Sequence, residues 1–150
     1  MSRSSASTAI VMTFLYAVLS VGLFSSLDED AFISFRYVDQ LLAGNGLVFN
    51  QGARVEGFSN FLWIAMLLPF KALGASLLLS SRLLGMIFCL GSAFIVVRFT
   101  RRLIPDETMI PWAAGFWYIL SIPVLWWSQS GLETPLVAFE LLALCYCLAF

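Results

Sequence analysis

Residues 9–27, AIVMTFLYAVLSVGLFSSL, run for 19 positions without a charge. At 1.5 Å per residue that is about the length a helix needs to cross a hydrocarbon layer roughly 30 Å thick. Further apolar runs follow at 77–97, broken only by Arg82, at 110–127, uncharged and rich in aromatics, and at 136–150, apolar apart from Glu140. Only 11% of the chain is charged and 61% is hydrophobic, whereas a soluble domain carries about 25% charged residues. The chain therefore reads as an all-α integral membrane protein. A net charge of -1 leaves no basic surplus for a nucleic-acid backbone. The chain has no His, and Cys89, Cys145 and Cys147 lie inside apolar runs, so they read as packing residues rather than as a zinc site or disulfide framework.

Orientation follows from the basic residues. Arg98, Arg101 and Arg102 come directly after the second run and mark a cytoplasmic end, as Arg3 does before the first run. The first run exceeds a signal-peptide core and no small-residue cleavage pattern follows it, so it reads as an uncleaved anchor. The stretch 58–73 has an apolar core too short for a crossing, and Pro69 and Lys71 end it. If it crossed, the arginine cluster would face outward; an interfacial placement puts that cluster and Arg3 on the same, cytoplasmic side. The reading is thus four spans, about 9–27, 76–97, 110–127 and 135–150, with an outer loop 28–75 and a second outer loop 128–134. The last run stops at Phe150 without flanking anchors, so the chain is expected to be the N-terminal part of a larger protein.

The outer loops carry the polar chemistry. Asp28-Glu29-Asp30 follows the first span directly. These acids suit either a solvated helix start, which Asp28 or Asp30 would cap, or a general base or metal ligand at the membrane face. From Ala31 to Ala43 the apolar positions 31, 35, 38 and 42 share a helical face, with Arg36, Asp39 and Gln40 among the polar ones, which predicts an interfacial amphipathic helix over about 30–43. Gly44-Asn45-Gly46 ends it. Arg36 pairs with Asp39 or snorkels in the plainer reading; in the functional one its guanidinium holds a lipid phosphate. Glu56 could form a surface pair with Arg54, and Glu140 lies about two helical turns after Glu133, so both are expected on one helix face.

Three stretches, Glu29-Asp30-Ala31-Phe32-Ile33-Ser34-Phe35-Arg36-Tyr37, Gly44-Asn45-Gly46-Leu47-Val48-Phe49-Asn50 and Val55-Glu56-Gly57-Phe58-Ser59-Asn60-Phe61-Leu62-Trp63, together with Trp126-Trp127-Ser128-Gln129-Ser130-Gly131-Leu132-Glu133-Thr134, resemble membrane-embedded GT-C glycosyltransferases. The pattern is most similar to the bacterial cell-wall arabinofuranosyltransferase group, and more distantly to protein O-mannosyltransferases and lipid A aminoarabinose transferases. The resemblance implies a GT-C transmembrane helical bundle in a prokaryotic plasma membrane. It also implies an enzyme that moves a pentose or hexose from a polyprenyl phosphate to an acceptor hydroxyl of a glycan, protein or lipid on the outer face.

By the same resemblance the first outer loop supplies the catalytic acid, Glu29 or Asp30, with Asp30 favoured, and Glu133 is the second acid. The candidates for substrate contacts are Asp28, Arg36, Tyr37, Arg54, Glu56, Asn60 and Arg82. Some relatives use a divalent cation and others do not, so the cofactor stays open, as do the sugar, the acceptor and the oligomeric state. Two other readings compete: a transporter or flippase of lipid-linked saccharides, in which the acids bind substrate or protons, and a non-catalytic membrane fragment. Four spans alone are not expected to enclose a donor site, so the fragment by itself is expected to be inactive.

Overall fold

The computed structural model describes residues 3–23, 27–52, 55 and 57–150. Its elements in chain order are α1 (Arg3–Leu23), α2 (Ala31–Leu42), α3 (Phe61–Ala72), α4 (Leu77–Leu103), α5 (Met109–Ile119), α6 (Ile122–Gln129) and α7 (Thr134–Ala149), with no strand among the described residues. The longest helix, α4, has 27 residues, about 40 Å of rise, and is the axis of the molecule: α3, α5, α6 and α7 all pack against it. α1 lies on α5 and α6, and α2 lies on α3.

Local sequence explains most of the boundaries. α4 begins at Ser76, whose hydroxyl accepts from the Leu79 amide at 3.5 Å, and it carries Arg98, Arg101 and Arg102 inside its last two turns rather than beyond its end. Arginine is a good helix former and its charge suits a helix C-terminus, so the helix outruns the apolar run that announces it and stops just before Pro105. α2 ends in a Schellman motif in which the Asn45 amide donates to the Gln40 carbonyl and the Gly44 amide to the Leu41 carbonyl. Gly44 takes φ +79 there, a conformation that favours glycine.

Two differences from the sequence reading stand out. The run 110–127 is two helices, α5 and α6, bent by 53°. Pro123 lies in the first turn of α6 and Ser121 ahead of it is extended, which breaks the helical ladder where uniform apolarity suggests continuity. Of the four runs read as spans, α4 alone is a single described helix long and apolar enough to cross a membrane, and the bent α5–α6 pair passes only when taken together. Residues 6–22 within α1, and the helices α3 and α7, are apolar but shorter.

Two apolar clusters hold the helices. One joins Phe35, Tyr37 and Val38 of α2 to Trp63, Ile64 and Leu67 of α3, Leu84 of α4 and Leu136 of α7. The other joins Met12 and Tyr16 of α1 to Cys89 and Ala93 of α4, Ile119 and Leu125. Outside the clusters the helix surfaces stay apolar: Phe14, Leu79 and Leu148 are 67%, 67% and 79% exposed. The described residues of 28–60 meet 128–134 beside α2, α3 and the first turns of α4.

Candidate active site at the meeting of two loops

The acidic segment before α2 is tied directly to the segment before α7. The Asp28 amide donates to the Ser130 carbonyl at 3.0 Å, while an Asp28 carboxylate oxygen accepts from the Asp30 amide at 3.1 Å. Asp28 thus closes a turn on its own backbone, a common use of this side chain. Asp30 stands at the N-cap position of α2 but has helical backbone angles and makes no capping bond, so the expected cap is absent. Its side chain instead lines a cavity of about 250 Å³.

That cavity has three walls. Asp30, Ile33 and Ser34 come from the start of α2, Gly57 to Asn60 from the approach to α3, and Leu132 and Glu133 from the turn before α7. Asp30 and Ser34 are four residues apart, so one helical turn places them on the same face. Asn60 closes the arrangement. Its amide nitrogen donates to the Ser34 hydroxyl at 2.9 Å and to a Glu133 carboxylate oxygen at 2.8 Å. Because an ionised carboxylate only accepts, Glu133 fixes which end of the amide faces it. The Asn60 Oδ1 is then left buried and without a partner, an acceptor whose desolvation goes uncompensated within the chain.

The turn that carries Glu133 is held from three sides. The buried Trp63 indole donates to the Gly131 carbonyl at 3.1 Å, and Arg82 Nε donates to the Gln129 carbonyl at 3.2 Å. The Ser130 hydroxyl donates to the Trp127 carbonyl and accepts from the Leu132 amide. Gly131 has φ +85, and a Cβ there would come within 2.8 Å of Leu27 Cδ1 and 3.0 Å of Ala31 Cβ. Only glycine therefore lets the start of α2 pack this close. On the far side, a Cβ on Gly85 of α4 would come within 2.5 Å of the Ser128 carbonyl oxygen.

The remaining candidates occupy distinct places. Glu29 is exposed and is not part of the cavity wall. Arg36 is exposed and donates to the Phe49 carbonyl at 3.0 Å, fastening the loop after α2. Its expected partner Asp39 pairs instead with Lys71 of α3 at 3.0 Å. Tyr37 is fully buried; its hydroxyl donates to the Val55 carbonyl and accepts from the Gly57 amide, each at 3.0 Å, and the Phe58 ring packs edge-on at 4.6 Å. It shapes the wall of the acid cavity and lines an adjoining one of about 300 Å³ with Ile33, Phe49 and Gly57. Arg82 is half-buried behind the Gln129 carbonyl and outside the cavity lining. Arg54 and Glu56 lie outside the described residues. Glu140 is exposed on α7, and Glu133, expected on the same helix, precedes it as its N-cap.

Sequence reasoning missed Ser34 and Trp63 as parts of the site. Ser34 had a signal, its four-residue spacing from Asp30; Trp63 had none, because its role depends on a carbonyl 68 residues away. Among the described residues no three His, Cys, Asp or Glu side chains cluster as a metal site. The cavity offers the two carboxylates of Asp30 and Glu133, too few for an all-protein cation cage.

Comparison with known proteins bears on what such a cavity serves. A 123-residue alignment, 37% identical, matches 73% of this chain to the terminal β-(1→2)-arabinofuranosyltransferase of Mycobacterium tuberculosis (strain ATCC 25618 / H37Rv). Over that stretch the chain is similar to an arabinofuranosyltransferase. A second protein of that name, from Corynebacterium glutamicum (strain ATCC 13032), is 42% identical over 62 residues, 36% of this chain. The alignments take in 18% and 9% of those two proteins, so the chain spans under a fifth of the length of the curated relatives it matches. No protein-family profile matches the chain, and no solved structure does.

Proposed function

We propose that this chain contributes the acid-lined part of a GT-C membrane glycosyltransferase that moves a pentose from a polyprenyl phosphate to an acceptor hydroxyl on the outer face of a prokaryotic plasma membrane. The observation that carries the reading is the convergence of Asp30 and Glu133, from two separate segments, on one cavity bridged by Asn60. The likeness to two arabinofuranosyltransferases supports the transfer chemistry and the pentose. The membrane-length α4 and the apolar outer faces of α1, α4 and α7 support a lipid setting. In such a setting the donor arrives through the bilayer rather than as a water-soluble nucleotide sugar.

In this reaction the acceptor oxygen forms a bond to the anomeric carbon, the bond from that carbon to the phosphate oxygen breaks, and the phosphate leaves with the electron pair. Asp30, uncommitted to capping, takes the proton of the acceptor hydroxyl. Glu133 keeps one oxygen on Asn60 and offers the other to a sugar hydroxyl. The buried Asn60 Oδ1 is the natural acceptor for a second substrate hydroxyl. Glu29, outside the cavity, has no step.

The test is transfer by the full-length protein in membranes with a lipid-linked pentose donor. Asp30→Asn should lower turnover by about 10²- to 10⁴-fold, the range for loss of a general base, while Glu29→Gln stays within a few-fold of wild type. Wild-type turnover by Asp30→Asn would refute the assignment.

A further inference from the structure

We propose that the cleft between the C-terminal end of α4 and the start of α5 binds the headgroup of an ethanolamine phospholipid. The cleft holds about 710 Å³, within the range of small-molecule sites. It is also remote from the acid cavity. Gly85 of α4 touches the turn that carries Glu133, and Arg101 lies sixteen residues further along the same helix, about 24 Å of rise. A bilayer-spanning α4 therefore puts the two cavities at opposite membrane faces.

The lining matches a zwitterion on an apolar stem. Arg101 supplies a guanidinium that lies over the Trp112 ring at 5.9 Å, an arrangement that orients the planar group and leaves its edge N–H donors available. Glu107 supplies a carboxylate to the same cleft, and the two are not joined as an ion pair. Opposite charges that share a cleft without pairing suit a ligand that carries both, here a phosphate for Arg101 and a primary ammonium for Glu107. Thr108 precedes α5 without a side-chain cap, so the Met109 and Ile110 amides, the first-turn donors that remain beside Pro111, stay available to the phosphate. Apart from Thr8 the rest of the wall, including Met109, 76% exposed, and Phe116, is apolar, which suits the first carbons of acyl chains and argues against a free phosphate ion. This inference needs α4 to lie across a bilayer and is independent of glycosyl transfer.

Binding is read by native mass spectrometry on the full-length protein in detergent, titrated separately with phosphatidylethanolamine, phosphatidylcholine, phosphatidylglycerol and inorganic phosphate. Phosphatidylethanolamine should bind about tenfold more tightly than phosphatidylcholine, whose methylated ammonium cannot donate hydrogen bonds to Glu107. Arg101→Gln should weaken phosphatidylethanolamine binding about tenfold, the scale of one charge-assisted contact, and Glu107→Gln should abolish the preference over phosphatidylcholine. If Arg101→Gln fails to fold, Glu107→Gln carries the test alone. Equal binding of all three lipids, inorganic phosphate competing as well as lipid, or unchanged selectivity in Glu107→Gln would each overturn the proposal.

Discussion

Asp30 and Glu29 are neighbours in sequence, yet one lines the cavity and the other does not. Both lie in the turn ahead of α2, so the geometry of that turn makes the choice, and a run of three acids read as a string does not reveal it. The bridge from Asn60 to Ser34 and Glu133 is equally hidden, because it joins positions 26 and 73 residues apart. At this scale Asn60→Ala removes the donor that holds Glu133, and with it the proposed acceptor for a substrate hydroxyl. Transfer by the full-length protein should fall at least about tenfold; turnover equal to wild type would remove Asn60 from the site. Tyr37→Phe deletes a buried hydroxyl that satisfies both the Val55 carbonyl and the Gly57 amide. It should cost about 1 to 3 kcal/mol, read as a lower Tm of the purified protein.

At the level of elements, α2 was legible because three independent signals agree: apolar positions three and four apart, acids before the start and Gly44-Asn45-Gly46 at the end. The break between α5 and α6 was not, although Pro123 stood in plain view. Both flanks are apolar, and hydropathy carries no record of a 53° bend. The turn from Ser128 to Glu133 depends on glycines on both sides, Gly85 on α4 and Gly131 in the turn itself. Gly131→Ala must take a left-handed conformation against Leu27 and Ala31, which costs about 1 to 3 kcal/mol. Gly85→Ala presses on a backbone carbonyl that has no rotamer to change. Both variants should lower Tm and reduce transfer together; full activity in either would mean that the turn tolerates movement.

For the whole molecule, sequence supplied the all-helical class and the apolar character, while the architecture around α4 needed the contacts between helices. The juxtaposition of residues 28–60 with 128–134 is a property of the whole chain, and it is the central claim, since a two-acid site requires both segments on one membrane side. The direct test is thiol labelling of full-length protein in intact cells, native cysteines replaced, with single cysteines at the exposed positions Gln51, Met109 and Thr134. A membrane-impermeant reagent should label positions 51 and 134 and reach 109 only after permeabilisation. Labelling of 51 and 109 with protection of 134 would place Glu133 across the bilayer from Asp30 and contradict the account.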